Sequence, residues 1–169
     1  CLVGSEMCIR DRLYLDAFPG IFVEEGRRRT GTVLSTTAHE LQHLIHYRYD
    51  RGEATWVNEG LSELASTLCG YGIGNSSLFL QQPQKDLTRW DNELADYSRV
   101  GLWTLYLFDQ FGADFIRHLT RNDAASKTGI NAALQLSGSG LNFEQVFQNW
   151  VIANYANNSR LAEGQYAYY

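Results

Sequence analysis

Apolar side chains recur along most of the chain at the three- and four-residue spacing of amphipathic helices. This spacing predicts a first helix over residues 33–48 and a second over residues 55–68. The second helix is predicted to turn four apolar side chains toward a core: Trp56, Leu61, Leu64 and Leu68. The pattern therefore indicates a mainly helical fold.

Local end signals divide the second half of the chain into three more helical segments. A helix over residues 97–111 is predicted to stop at Gly112 and to resume as a short helix. Thr128 is predicted to cap the next helix, and Asn142 with Gln145 forms a capping pair for the last one. Residues 70–93 are polar and irregular, which is typical of a functional loop.

Strand patterns are confined to the first part of the chain. Residues 13–16 alternate apolar and polar side chains and predict one strand, and residues 21–23 suggest a second. Because one strand is not stable alone, we expect its partners to lie upstream.

Residues 1–12, CLVGSEMCIRDR, resemble a translated sequencing-library adapter and are set aside as an artefact. They contain Met7, which is the only methionine, and two of the three cysteines. We therefore expect residues 13–169 to be the natural part, cut off upstream and without an internal disulfide. The remaining Cys69 is predicted to be a small buried residue.

The composition limits the kinds of partner. The chain of 169 residues has a net charge of −5, which suits one globular domain. It has no run of about eighteen apolar residues, so no membrane span is predicted. Nucleic-acid binding is not expected, since basic residues cluster only at positions 27–29. The oligomeric state stays open.

The stretch HELQH carries the candidate chemistry. His39 and His43 are four residues apart, so on a helix they project from one face and can hold one Zn²⁺ ion. Glu40 is turned by about 100° from His39, which places it beside the metal, where it can take a proton from the bound water.

A third ligand has to come from another element. A metzincin site needs glycine at 46 and histidine at 49, where this chain has His46 and Tyr49, so that class is excluded. The segment WVNEGLSEL offers Glu59 on the second helix. Glu63, one turn later, can orient a ligating histidine. His46 is interpreted as a surface or supporting histidine.

These motifs resemble gluzincin metallopeptidases, in which HExxH is followed by a helix carrying NE. The likeness is best to the hyicolysin-like bacterial family, through HELQH and WVNEGLSE, with Val57 in place of the usual leucine. The resemblance implies a zincin-like (gluzincin) α+β fold, here N-terminally truncated and mainly α-helical with one or two residual strands. The separation of His43 and Glu59 is a few residues short, so Glu63 competes for the ligand role.

The resemblance also implies an activity. It suggests zinc-dependent hydrolysis of peptide or protein substrates, with Glu40 as the base and Tyr97 as donor to the developing oxyanion. It favours an endopeptidase that acts outside the cell or in the periplasm. The alternative is a non-catalytic zinc module used for binding or scaffolding.

Overall fold

The computed structural model describes residues 6–9, 12–15, 21–24, 27–28 and 30–169, which form a mainly helical structure. Among these residues the α-helices are α1 (Thr30–Tyr49), α2 (Thr55–Leu68), α3 (Ser77–Leu80), α4 (Leu94–Arg121), α5 (Ser126–Leu136) and α6 (Phe143–Ala156). A 3₁₀ turn, Ala162–Gly164, lies near the carboxyl end. No helix in the described part is long and apolar enough to cross a membrane.

The described strands form two short antiparallel hairpins. β1 (Glu6–Ile9) pairs with β2 (Arg12–Leu15), and β3 (Phe22–Glu24) pairs with β4 (Arg27–Arg28). The described residues thus contain four short strands, more than the one or two expected. Among the described residues β2 pairs with β1, which lies in the adapter-like segment. The predicted strand end at Asp16 lies outside the described residues.

The predicted helices are present, although α1 starts at Thr30 instead of 33 and α4 starts at Leu94 instead of 97. α1 and α2 cover the first two predicted helices, and α2 has the predicted bounds. α4 continues through Gly112, but this residue has φ 76° and ψ −174°, so the helix is kinked where a stop was predicted. Asn142 and Gln145 form the predicted reciprocal capping pair at the start of α6.

Three predictions in the helical region are wrong. Thr128 lies inside α5, which begins two residues earlier at Ser126, where the backbone N–H donates to the Glu53 side chain at 2.7 Å. The carboxylate of Glu53, distant in the sequence, therefore caps the start of α5 in place of the predicted Thr128. Leu68 is 55% exposed and Cys69 is exposed as well, because α2 ends there and the chain leaves the core.

An aromatic core joins α2, α4 and α6. Trp103 of α4 packs edge-on against Phe143 and Trp150 of α6, with ring centroids 5.5 and 5.4 Å apart. Phe79 of α3 stacks on Trp150 at 5.6 Å, so the predicted irregular loop contains one helical turn that closes the core. Aromatic pairs at these separations add about 0.5–1.5 kcal/mol each beyond their buried area.

Two glycines let α2 and α4 approach closely. A Cβ atom at Gly60 would overlap Thr104 Oγ1 and lie 3.0 Å from the Val100 carbonyl oxygen. A Cβ at Gly101 would lie 3.2 Å from Glu63 Cβ. The small residues therefore fix the distance at which α2, the carrier of Glu59 and Glu63, sits on the core.

We expect Gly60→Ala to destabilise the protein by about 1–3 kcal/mol, because the added methyl group overpacks this contact. Gly31→Ala in α1 is the matched control, since no described atom lies within 4 Å of its added Cβ. That change should be neutral or stabilising by up to about 1 kcal/mol. Urea unfolding of both variants measures the difference, and equal stability would contradict the close-packing account.

Candidate metal centre

Helix α1 buries its polar face. His39, Glu40 and His46 are buried, whereas Leu34, Leu41 and Ile45 are about half exposed among the described residues. These three apolar side chains therefore do not face α2. The chemistry-bearing residues point into the protein instead.

Hydrogen bonds join this polar face to α2. The Ser66 hydroxyl donates to the Ser35 carbonyl oxygen at 3.0 Å. One turn along, the Ser62 hydroxyl donates to Gln42 Oε1 at 2.6 Å. Because unpaired buried polar groups cost about 1–3 kcal/mol each, these pairs set the register of α1 against α2.

The structure brings His39, His43 and Glu59 together, and we call these three residues the His39 site. His39 Nε2 lies 3.1 Å from Glu59 Oε2 and 3.2 Å from His43 Nε2. His43 Nε2 lies 3.5 Å from the same Glu59 oxygen. Of the two competing carboxylates, Glu59 is thus the one that meets both imidazoles.

The other ring nitrogens of the two histidines face oxygen atoms of α2. His39 Nδ1 lies 3.2 Å from Glu63 Oε1. His43 Nδ1 lies 3.0 Å from the Ser62 hydroxyl and 3.2 Å from Asn58 Oδ1. With a proton on each Nδ1, both imidazoles donate to these acceptors. These hydrogen bonds hold the rings with both Nε2 atoms facing Glu59.

The His39 site fits a zinc ion. Bond lengths of about 2.0–2.2 Å in a tetrahedral site separate neighbouring ligand atoms by about 3.3–3.6 Å. The three observed separations, 3.1, 3.2 and 3.5 Å, are close to these values. Two imidazoles and one carboxylate also leave a fourth position open, as catalytic zinc sites do.

In the metal-free protein a proton can neutralise part of this cluster. Burial lowers the pKa of His39, but hydrogen bonds to Glu59 and Glu63 and their negative charges outweigh it and raise the pKa to about 9. Burial raises the pKa of Glu59, whereas its bonds to His39 and His43 lower it to about 2. The cluster therefore attracts positive charge.

A cavity of about 310 Å³ opens beside the His39 site. His39, Glu40, Glu63 and Tyr97 line one part of it, and residues of the 70–93 loop, including Tyr71, line another. Glu40 is only 2% exposed. The cavity therefore brings a carboxylate and a phenol to the same space as one of the candidate metal ligands.

Tyr97 is held at the start of α4 by a buried ion pair. Arg99 Nη1 lies 2.9 Å from Asp96 Oδ1, and both side chains are fully buried. The Tyr97 ring centroid lies 6.3 Å from that of His39, and its hydroxyl donates to Asn92 Oδ1 at 3.2 Å. Burial and the negative charges of nearby glutamates raise the pKa of Tyr97 to about 12, so its hydroxyl stays a donor at neutral pH.

The structure also shows partners that the sequence reasoning missed. Asn58 and Ser62 orient His43, whereas the sequence motif predicts roles only for the glutamates beside them. Of the two positions expected for His46, surface or supporting, the structure shows the supporting one: His46 is buried, and its Nδ1 lies 3.0 Å from Asn58 Oδ1. One signal was present: in NEGLSE, positions 58 and 62 form the same i,i+4 pair as 59 and 63.

No protein-family model matches this chain, and no curated protein matches it significantly. The case for a metal centre therefore rests on the donor atoms themselves. Among the described residues, His39, His43 and Glu59 form one of two groups whose donor atoms lie close enough together to hold a metal ion.

The stability of the metal-free protein should depend on pH through His39. Folding raises the pKa of His39 from 6.5 to about 9, so its contribution is complete below about pH 6.5 and is lost as the pH rises through about 9. Zinc competes with the same proton, so the stabilisation by zinc should increase over that range.

Urea unfolding with a chelator and with zinc, at several pH values between about 6.5 and 9, measures both trends. In the His39→Gln variant, the metal-free protein should lose less stability over this pH range. An unchanged pH dependence in that variant would show that His39 does not carry the effect.

Proposed function

We propose that this protein is a zinc-dependent metallopeptidase. The observation that carries the proposal is the triangle of His39 Nε2, His43 Nε2 and Glu59 Oε2 with edges of 3.1–3.5 Å, beside a cavity that Glu40 lines. A bound Zn²⁺ would serve as a Lewis acid and make water a nucleophile near neutral pH.

We propose Glu40 as the general base. Its side chain is buried next to His39 on α1 and borders the cavity in which a peptide bond would lie. We assign it the proton of the attacking water, which it would pass to the departing amine nitrogen as the carbon–nitrogen bond breaks. This transfer balances the reaction without any further reactant.

We propose that Glu63 and Tyr97 both support this reaction. Glu63 accepts the Nδ1 proton of His39 and thereby presents Nε2 for metal binding. The Tyr97 hydroxyl can turn from Asn92 into the cavity and donate to the peptide carbonyl oxygen as negative charge develops there. We propose Glu59 as the third ligand and Glu63 as the residue that orients His39.

The resemblance to gluzincins extends the proposal. We propose that α1 and α2 are the ligand-bearing helices of a zincin-like domain. On the likeness to the hyicolysin-like family, the substrates are peptides or proteins cut internally, and the protein acts outside the cell or in the periplasm.

The Glu40→Gln variant tests the mechanism. Removing the base should lower kcat by about 10²–10⁴-fold while zinc content stays the same, because Glu40 is not a ligand. Cleavage of a mixed library of quenched fluorescent peptides measures the rate. Metal analysis of the same samples measures zinc.

Glu144→Gln is the matched control, since Glu144 is exposed and pairs only with Lys127 among the described residues. Its rate should equal that of the unchanged protein. Equal rates for Glu40→Gln and the unchanged protein would refute the mechanism. Bound zinc without cleavage of any peptide would favour the non-catalytic zinc module instead.

Tyr97→Phe tests the hydrogen-bond donor. Loss of the hydroxyl should lower kcat by about 10²–10³-fold and leave KM and zinc content nearly unchanged, since the donor acts on charge that forms during the reaction. Tyr71→Phe, at another wall of the cavity, is the control and should retain activity. A Tyr97→Phe variant with full kcat would remove this residue from the mechanism.

A further inference from the structure

A second group of ligand-type side chains lies at the other end of the α1–α2 contact. His46 is in the last turn of α1, Asp50 follows the helix, and Glu53 lies in the connection to α2. Their candidate donor atoms lie within 4.8 Å of one another. We call these three residues the His46 cluster, and it shares no residue with the His39 site.

Each carboxylate of the cluster is held through one oxygen by backbone N–H groups. Asp50 Oδ1 accepts from the Gly52 N–H at 2.7 Å. Glu53 Oε1 accepts from the Ala54 N–H at 2.6 Å and from the Ser126 N–H at 2.7 Å. These bonds fix both carboxylates and leave Asp50 Oδ2 and Glu53 Oε2 for another partner.

The imidazole is held in the same way. His46 Nδ1 lies 3.0 Å from Asn58 Oδ1, and the amide oxygen can only accept, so the proton is on Nδ1. Nε2 is then a bare electron-pair donor. His46 is 1% exposed, so this atom is shielded from solvent.

The three remaining atoms have no hydrogen-bond partner in the part of the chain that the structure describes. They are His46 Nε2, Asp50 Oδ2 and Glu53 Oε2, and all three are buried. A buried acceptor that stays unpaired is destabilising. Three of them in one cluster, all acceptors, point to a missing positive group.

We propose that His46, Asp50 and Glu53 bind a second divalent cation of the zinc class, separate from the His39 site. An imidazole nitrogen with two carboxylate oxygens suits Zn²⁺, whereas Ca²⁺ and Mg²⁺ take oxygen ligands. Atoms bound at about 2.0–2.6 Å span at most about 4–5 Å, which matches the size of this cluster.

A shared proton explains the cluster less well. Burial raises the pKa of Glu53, and the negative charge of Asp50 raises it as well, whereas backbone hydrogen bonds lower it. Because the net shift is upward, one proton can bridge the two carboxylates. Burial also lowers the pKa of His46, which keeps its Nε2 without a proton. A proton between the carboxylates therefore leaves the imidazole unpaired, whereas a cation serves all three atoms.

The bound cation would have a structural role. The His46 cluster joins the end of α1 to the connection before α2, and Glu53 ties that connection to the first residue of α5. Asn58 Oδ1 lies within hydrogen-bond distance of Nδ1 of both His43 and His46. A cation here would thus brace the helix pair that carries the His39 site without lining the cavity beside it.

Zinc stoichiometry tests the proposal. The protein is stripped with a chelator, loaded with excess Zn²⁺, passed through a desalting column and measured for bound metal. We expect two equivalents for the unchanged protein. Parallel loading with Ca²⁺ or Mg²⁺ should leave no bound equivalent at the His46 cluster.

Two variants separate the sites. Asp50→Asn with Glu53→Gln keeps the side-chain shapes of the His46 cluster and should retain one equivalent. His39→Gln disables the other site and should also retain one, and zinc should raise its Tm. The His39→Gln, Asp50→Asn, Glu53→Gln triple variant should retain none.

Each result decides one of the two proposals. If the unchanged protein binds one equivalent of zinc and His39→Gln binds none, the second site is overturned. The second site is also overturned if Asp50→Asn with Glu53→Gln still binds two equivalents. If the unchanged protein and His39→Gln each bind one equivalent of zinc, the second site is supported. The proposal that the His39 site binds zinc is then refuted. If Asp50→Asn with Glu53→Gln fails to fold by circular dichroism, His39→Gln decides alone.

Discussion

The hydrogen-bonded contact between α1 and α2 is the constraint on which the candidate site depends. α1 turns His43, Gln42 and Ser35 toward α2, where Asn58, Ser62 and Ser66 respectively are their hydrogen-bond partners. Because each buried polar group needs a partner, a shift of α1 by one residue would unpair several of them at once. The glycine contacts between α2 and α4 hold the other side of α2 against the aromatic core. The position of the donor atoms follows from these two contacts together.

The features that could be predicted from sequence are those decided within one or two helical turns. The bounds of α2, the kink at Gly112 and the capping pair of α6 each depend on neighbouring residues. The grouping of His39 and His43 with a glutamate of α2 needed only one further assumption, that the two helices face each other. Two i,i+4 pairs on facing helices leave few other arrangements.

The features that could not be predicted depend on residues far apart in the chain. The capping of α5 by Glu53 joins positions separated by 73 residues, so the local signal at Thr128 was misleading. The apolar side chains Leu34, Leu41 and Ile45 of α1 are about half exposed, because hydrogen bonds with α2 select the opposite face for burial. The burial of His46 follows from the same polar contact, which places it beside Asn58.

The two clusters differ in what balances their charge. In the His39 site a proton can take the place of a metal, because Glu59 and Glu63 raise the pKa of His39 enough to keep the imidazole charged at neutral pH. In the His46 cluster burial lowers the pKa of the imidazole, so its carboxylates receive no charge from it. Asn58 orients an imidazole in each cluster through one amide oxygen, so both sets of donor atoms are arranged by the fold before any cation binds. A site arranged in this way loses little conformational entropy on binding, and the cost of bringing the donors together is met by the helix packing.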